Sequence, residues 1–189
     1  MKIYLTEQQN KFKNHLDFLK TKNVMSDEKY RLTEKITSIE INTAKTIGEL
    51  NLDLLYNYQI FPNNIMSFKC QWTDENRKMR VGDTIAQQVY IPPVKTFSQK
   101  IIFGVRVNEI IDQADKKGFS YQTLEGHVEK GISTFTVEQI DKELIFKVHT
   151  HSTRGNTLAK LLAPFFSIPY QSFCTSSALK NVKQQLENQ

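Results

Sequence analysis

The sequence predicts an α+β fold in which a curved antiparallel sheet wraps around a long C-terminal helix. Three observations carry this. Between residues 66 and 150 apolar side chains recur with a period of two in successive runs, the mark of half-buried strands. From about residue 156 the period becomes helical. Between them, residues 118–137, GFSYQTLEGHVEKGISTFTV, read as one β-hairpin with a polar connection over 125–131.

Residues 1–35 read as a helical N-terminal extension. Phe12, Leu16 and Leu19 fall at i, i+4 and i+7, one face of a helix. Ser26 followed by Asp27 and Glu28 is an N-cap with acid in the first turn, which predicts a second short helix through Leu32. The main domain covers 36–189. It opens on the strand KITSIEIN, with Thr37, Ile39 and Ile41 on one face. Ile47, Leu50, Leu54 and Tyr58 are spaced for a helix capped by Asn42 or Thr43 and stopped at Phe61-Pro62.

Met66, Phe68, Cys70 and Trp72 then alternate as a strand closed by the polar turn DENRK. Strands follow over 85–91 and 101–107, then the hairpin, then a strand carrying Leu144, Phe146, Val148 and Thr150. Short connections between half-buried strands imply an antiparallel meander with one face on a core. Leu158, Leu161, Leu162 and Phe165 begin the C-terminal helix. Pro164 and Pro169 are expected to kink it before it resumes at Tyr170, with Phe166, Tyr170 and Phe173 toward the sheet. This is a helix-grip layout, and its sheet encloses a cavity.

Composition bounds the function. At 189 residues the chain can bury a core without disulfides, and its 12 Phe and 7 Tyr suit a core that also lines a cavity. The net charge of +5 is scattered, its densest cluster being Arg77, Lys78 and Arg80, so no nucleic-acid partner is expected. Cys70 and Cys174 form no disulfide framework. MKIYLTEQQNK has no apolar signal region, and the longest apolar run, near 158–168, is interrupted by Lys160 and Pro164. A cytoplasmic protein with no integral membrane association follows as the expectation. The oligomeric state is left open.

The hairpin also resembles a known family. Gly118, Phe119, Tyr121, Thr123, Leu124, Gly126, His127, Glu129, Gly131, Phe135, Val137 and Glu138 match the pattern of the uncharacterised family catalogued as domain of unknown function nineteen-ninety. Val81-Gly82-x-Thr84 and Ala163-Pro164 fit as well, so the resemblance spans about residues 36 to 185. Where the family has Ser-Arg-Pro after the last strand, this chain has Ser152-Thr153-Arg154-Gly155, and its last helix, QSFCTSSALK, is not Arg-rich. That family is similar to the START-related, birch-pollen-allergen-like superfamily. The resemblance implies a helix-grip fold and the binding of apolar ligands; it implies no activity.

Parity selects the residues that meet a ligand. Phe119, Tyr121 and Thr123 share a face, as do Phe135 and Val137, and Leu144, Phe146 and Val148. The expected ligand-binding set is Tyr121, His127, Phe119, Thr123, Phe146 and Trp72, with Tyr121 a phenol in an apolar cavity and His127 in the hairpin turn. His149 and His151 are two apart and on the opposite parity. Two ligands do not complete a zinc site, so no metal or cofactor is expected. No P-loop, dinucleotide fingerprint, nucleophile elbow or C-x-x-C occurs. Arg106 and Arg154 read as surface charges. The leading expectation is a protein that binds a small apolar ligand between sheet and helix. The alternatives are an enzyme of the same fold using Tyr121 and His127 as acid–base groups, and a protein-interaction module that uses the N-terminal helices.

Overall fold

A computed structural model describes residues 2–25, 33–93, 97–154 and 168–189. Its strands are β1 Lys2–Tyr4, β2 Thr33–Ile41, β3 Met66–Cys70, β4 Thr84–Ile91, β5 Gln99–Asp112, β6 Lys116–Thr123, β7 Glu129–Ile140 and β8 Glu143–Arg154. They form one antiparallel sheet in the order β2-β8-β7-β6-β5-β4-β3, with β1 beside β5. Strands β3 to β8 are the meander that the alternation predicts. β2 closes the sheet beyond β8, setting Thr37 opposite Val148 and Ile39 opposite Phe146.

β6 ends with Thr123 opposite Val105, so that side of the first residues of β5 is taken by β1, with Ile3 opposite Ile101. β1 lies within the expected helical extension; three residues are too few to show a period. The register of β5 shifts between Val107 and Glu109, a bulge that bends the strand and increases local twist. Two glycines let neighbouring strands close in. A Cβ on Gly118 would stand 1.9 Å from the Phe135 carbonyl oxygen, and one on Gly131 would stand 2.0 Å from that of His151.

The expected inward parity holds: Phe119, Phe135, Val137, Leu144, Phe146 and Val148 are buried in one core with Ile85, Ile101 and Val105. The C-terminal helix Ile168–Glu187, α4 of the helices below, packs on this concave face through Ala178, Leu179, Val182 and Leu186. Ala178, Val182 and Leu186 recur every four residues, one helical stripe, and each large apolar side chain so buried contributes roughly 1.5–3 kcal/mol. Phe173 is not turned toward the sheet as expected; it is 45% exposed. It precedes Cys174, which packs against the core, and so stands about 100° around the helix from it. Pro169 lies within the described part of this helix. The expected start of this helix and its kink at Pro164 lie outside the described residues.

Polar tethers hold the far end of α4. Lys183 Nζ donates to the Glu40 carbonyl at 2.6 Å, Asn181 Nδ2 donates to that of Ile60 at 2.9 Å, and the Glu187 carboxylate accepts the Asn42 N–H at 2.6 Å. Among the described residues no helix is long and apolar enough to cross a membrane.

The expected N-terminal helix is present as α1, Phe12–Lys20. It covers the convex face, where Leu16 and Leu19 pack with Ala86 and Leu124. Arg106, read from the sequence as a surface charge, donates to the Leu19 and Lys20 carbonyls at 3.4 and 3.1 Å, placing a cation at the C-terminal end of α1. The second short helix expected over 26–32 lies outside the described residues.

Two further expectations are corrected. The helix over 42–58 is reduced to α2, Asp53–Tyr56. Side chains bond the local backbone upstream, Glu49 accepting the Thr46 N–H at 2.8 Å and Asn51 accepting the Asp53 N–H at 2.8 Å, which competes with a helical ladder. Ile47, Leu50 and Leu54 are buried all the same. The strand expected through Trp72 ends at Cys70, and Gln71–Asp74 forms a single helical turn, α3. Asn76, at φ 49°, tolerates the left-handed conformation that ends that turn, with Arg77 N–H bonded to the Trp72 carbonyl at 3.0 Å.

Candidate functional site

The concave face changes chemistry along its strands. One cross-strand row, Val148–Phe135–Phe119, is wholly apolar. Two residues farther along β8, Thr150 faces Ser133 on β7 and Lys35 on β2, and Ser133 faces Tyr121 on β6. Two residues farther again, Ser152 stands between Thr33 and Gly131. These polar rows bound a cavity of about 580 Å³. Phe61, Ile65, Met66, Val89, Phe103 and Val128 make its apolar walls, and Cys174, Thr175 and Ala178 of α4 lie across from the sheet. The size is that of small-molecule sites, and so is the mix of apolar wall and few polar groups.

Tyr121 lies on the wall with its hydroxyl close to the Tyr58 phenol, the Ser133 hydroxyl and the Gln87 amide. Burial raises its pKa; the bonds from Tyr58, Ser133 and Gln87 oppose this and are outweighed. Tyr58 is fully buried, accepts a bond from Gln87 Nε2 at 2.5 Å, and is pushed well above the ordinary phenol range by burial and then by Tyr121. Backbone geometry aims it there. Gln59 N–H bonds the Leu54 carbonyl at 2.7 Å and Tyr58 N–H bonds that of Leu55 at 3.0 Å, the Schellman closure of α2, with Tyr58 at φ 59° where glycine is usual. A bulky residue held in that region costs on the order of 1–2 kcal/mol, offset by four ring contacts, to Phe61, Phe68, Phe119 and Tyr121.

His127 sits in the hairpin turn, its N–H bonded to the Leu124 carbonyl at 3.0 Å. Nδ1 lies 3.0 Å from the Glu129 amide nitrogen and 2.9 Å from its carbonyl oxygen. The main chain therefore engages Nδ1 in either neutral tautomer, and Nε2 is the ring nitrogen left for the cavity. Phe103 packs edge-on with ring centroids 4.2 Å apart. Burial lowers the imidazole to about 4, against the opposing pull of the Glu129 backbone, so the ring is neutral at pH 7.

Thr123 is also on the wall, and its Oγ1 accepts the Gly131 N–H at 3.0 Å. The other expected residues lie elsewhere. Phe119 and Phe146 are fully buried in deeper rows, with Phe119 stacked on Phe135 at 5.5 Å, and Trp72 is buried in α3. None of the three lines the cavity. Sequence reasoning missed Thr33, Lys35, Ser133, Thr150 and Ser152. Their signal was available, because Thr150 and Ser152 continue the inward parity of Phe146 and Val148.

Chemically, the arrangement offers hydroxyls and a neutral imidazole as donors and acceptors, with Lys35 and Glu129 also on the lining. Acid–base catalysis near neutrality needs a group that titrates there. His127 is moved below that range and Tyr121 above it. The other cysteine, Cys70, is buried, and burial pushes its thiol up.

The profile of the family described as domain of unknown function (DUF1990) matches residues 38–180. No curated protein matches. Several solved structures share the fold. The major latex-like protein 151 of Panax ginseng is 13% identical with a TM-score of 0.55, covering 83% of this chain and 99% of its own. The KanY protein is 13% identical with a TM-score of 0.55, covering 82% and 98%. A hypothetical protein from Helicobacter pylori is 11% identical with a TM-score of 0.53, covering 82% and 88%. At these identities the likeness shows the helix-grip fold alone.

Proposed function

The chain belongs to the DUF1990 family, and on that premise we propose that it binds a small amphipathic molecule between the concave sheet and α4. The observation that carries this is the graded wall: an apolar end at Phe61, Ile65, Met66 and Val89 leads into hydroxyl rows at Ser133, Thr150 and Ser152. An apolar body is buried against the first, and a hydrogen-bonding head meets Tyr121, His127 Nε2 and the hydroxyls. The resemblance to the START-related superfamily, whose members bind apolar ligands, supports the same reading. The paired shifts of Tyr121 and His127 favour hydrogen-bonding roles over acid–base catalysis. The apolar stripe of α1 is buried on the sheet, which leaves little of it for a partner protein.

The test is a fluorescence titration with 8-anilinonaphthalene-1-sulfonate, an apolar ring system bearing one polar head. The protein takes up the probe saturably at one site, and Ser133→Trp, which fills the cavity from its wall, abolishes the signal. Absence of saturable binding, or binding indifferent to Ser133→Trp in a protein of unchanged circular dichroism, contradicts the proposal.

A further inference from the structure

On the opposite face of the sheet, β2 and β8 bring together three metal-ligating side chains. His149 and His151 project from the convex side of β8 with ring centroids 4.3 Å apart. Glu34 of β2 is directly opposite His151 in the register. Its Oε1 lies 2.7 Å from His149 Nε2 and 3.5 Å from His151 Nε2. The three ligand atoms all fall within 4.8 Å of one another.

We infer that Glu34, His149 and His151 form a site for a divalent transition-metal ion of the zinc class. Donors bound tetrahedrally at about 2.0–2.2 Å stand about 3.4 Å apart, a separation that rotation of these half-exposed side chains reaches without moving the strands. Two imidazoles and one carboxylate are a donor set that zinc accepts, and imidazole favours zinc, copper and nickel over magnesium or calcium. The fourth position faces solvent and is open to water or an external ligand. The ion also joins the sheet's edge strand to its neighbour, because Glu34 lies near the start of β2 and the histidines lie on β8. The site is independent of the cavity, since inward and outward residues alternate along β8.

The test uses the full chain, purified without a His tag and stripped with chelator, titrated calorimetrically with ZnCl2 and, as a control, MgCl2. Zn2+ binds with a stoichiometry of one and raises Tm, while Mg2+ does neither. His149→Ala, His151→Ala and Glu34→Gln each weaken Zn2+ by on the order of tenfold or more. Because all three side chains are at least partly exposed, the variants fold, and their Tm without metal stays near that of the parent. Ni2+ selectively broadens the NMR signals of His149 and His151. No Zn2+ heat and no Tm shift, or affinity unchanged in all three variants, overturns the inference.

Discussion

Tyr121 and Ser133 face each other across the β6–β7 ladder, and both line the cavity at the boundary between its apolar and polar parts. Tyr121→Phe removes the phenol hydroxyl and leaves the Tyr58 phenol with one partner fewer. A stability loss of about 1–2 kcal/mol is expected by urea unfolding, together with several-fold weaker uptake of the naphthalene probe. Unchanged probe affinity would confine Tyr121 to a packing role.

His127 makes stability depend on pH in a defined window. Its folded pKa of about 4 lies below the ordinary histidine value of 6.5, so the unfolded chain binds more protons between those limits. Stability is then fully present above about pH 6.5 and falls as pH drops toward 4, by ~1–3 kcal/mol. His127→Gln keeps a hydrogen-bonding group and removes this slope. Urea unfolding of both proteins at pH 7 and pH 5 checks it: the difference between parent and variant changes in that interval, whereas a constant difference would exclude the linkage.

Glu138 gives a pH dependence of the same sign in a more acidic window. Burial pushes its carboxyl up, but the ammonium groups of Lys147 and Lys116, the latter at 3.1 Å, and the Thr136 hydroxyl at 2.9 Å outweigh this and hold it below its ordinary value. Its contribution is present above the unfolded value near 4.5 and is lost as pH falls through the lower folded one. Glu138→Gln is expected to cost about 1–2 kcal/mol at pH 7, and the deficit should vanish in strong acid. A deficit that persists there would assign the effect to packing.

Gly131→Ala tests the close approach of β7 and β8. The new Cβ would meet the His151 carbonyl oxygen at 2.0 Å, a backbone atom that cannot step aside. A loss on the order of 3 kcal/mol is expected. A near-neutral result would show that the two strands can separate there.

Much of the fold was legible because strands repeat every two residues. Parity placed Phe119, Tyr121, Phe135, Val137, Phe146 and Val148 on one face, and all face the core or its cavity. It failed where local bonds override spacing. Ile47, Leu50 and Leu54 have helical spacing and are buried, yet Glu49 and Asn51 bond the nearby backbone and leave only a four-residue helix. Trp72 keeps the alternation of β3 but rides on the helical turn that follows it. The cavity was half legible. Tyr121, Thr123 and His127 line it, while the hydroxyl rows were passed over although Thr150 and Ser152 continue the inward parity of Phe146 and Val148. Glu34 could not be tied to His149 and His151 until β2 was paired with β8, a contact across more than a hundred residues.

Trp72 reports on the core and not on the cavity. The single tryptophan is 1% exposed and lies off the cavity wall. Saturating the cavity should leave its emission maximum unshifted, while unfolding should shift it to the red. A shift on ligand binding would extend the site to α3.

The proposed function requires that the space between the sheet and α4 hold a small amphipathic molecule. Native mass spectrometry of the protein isolated from the cells that make it tests this most directly. Binding in this cavity gives a non-covalent adduct of defined mass that disappears under denaturing conditions and is lacking in Ser133→Trp. The bare chain mass in every charge state, for parent and variant alike, would contradict it.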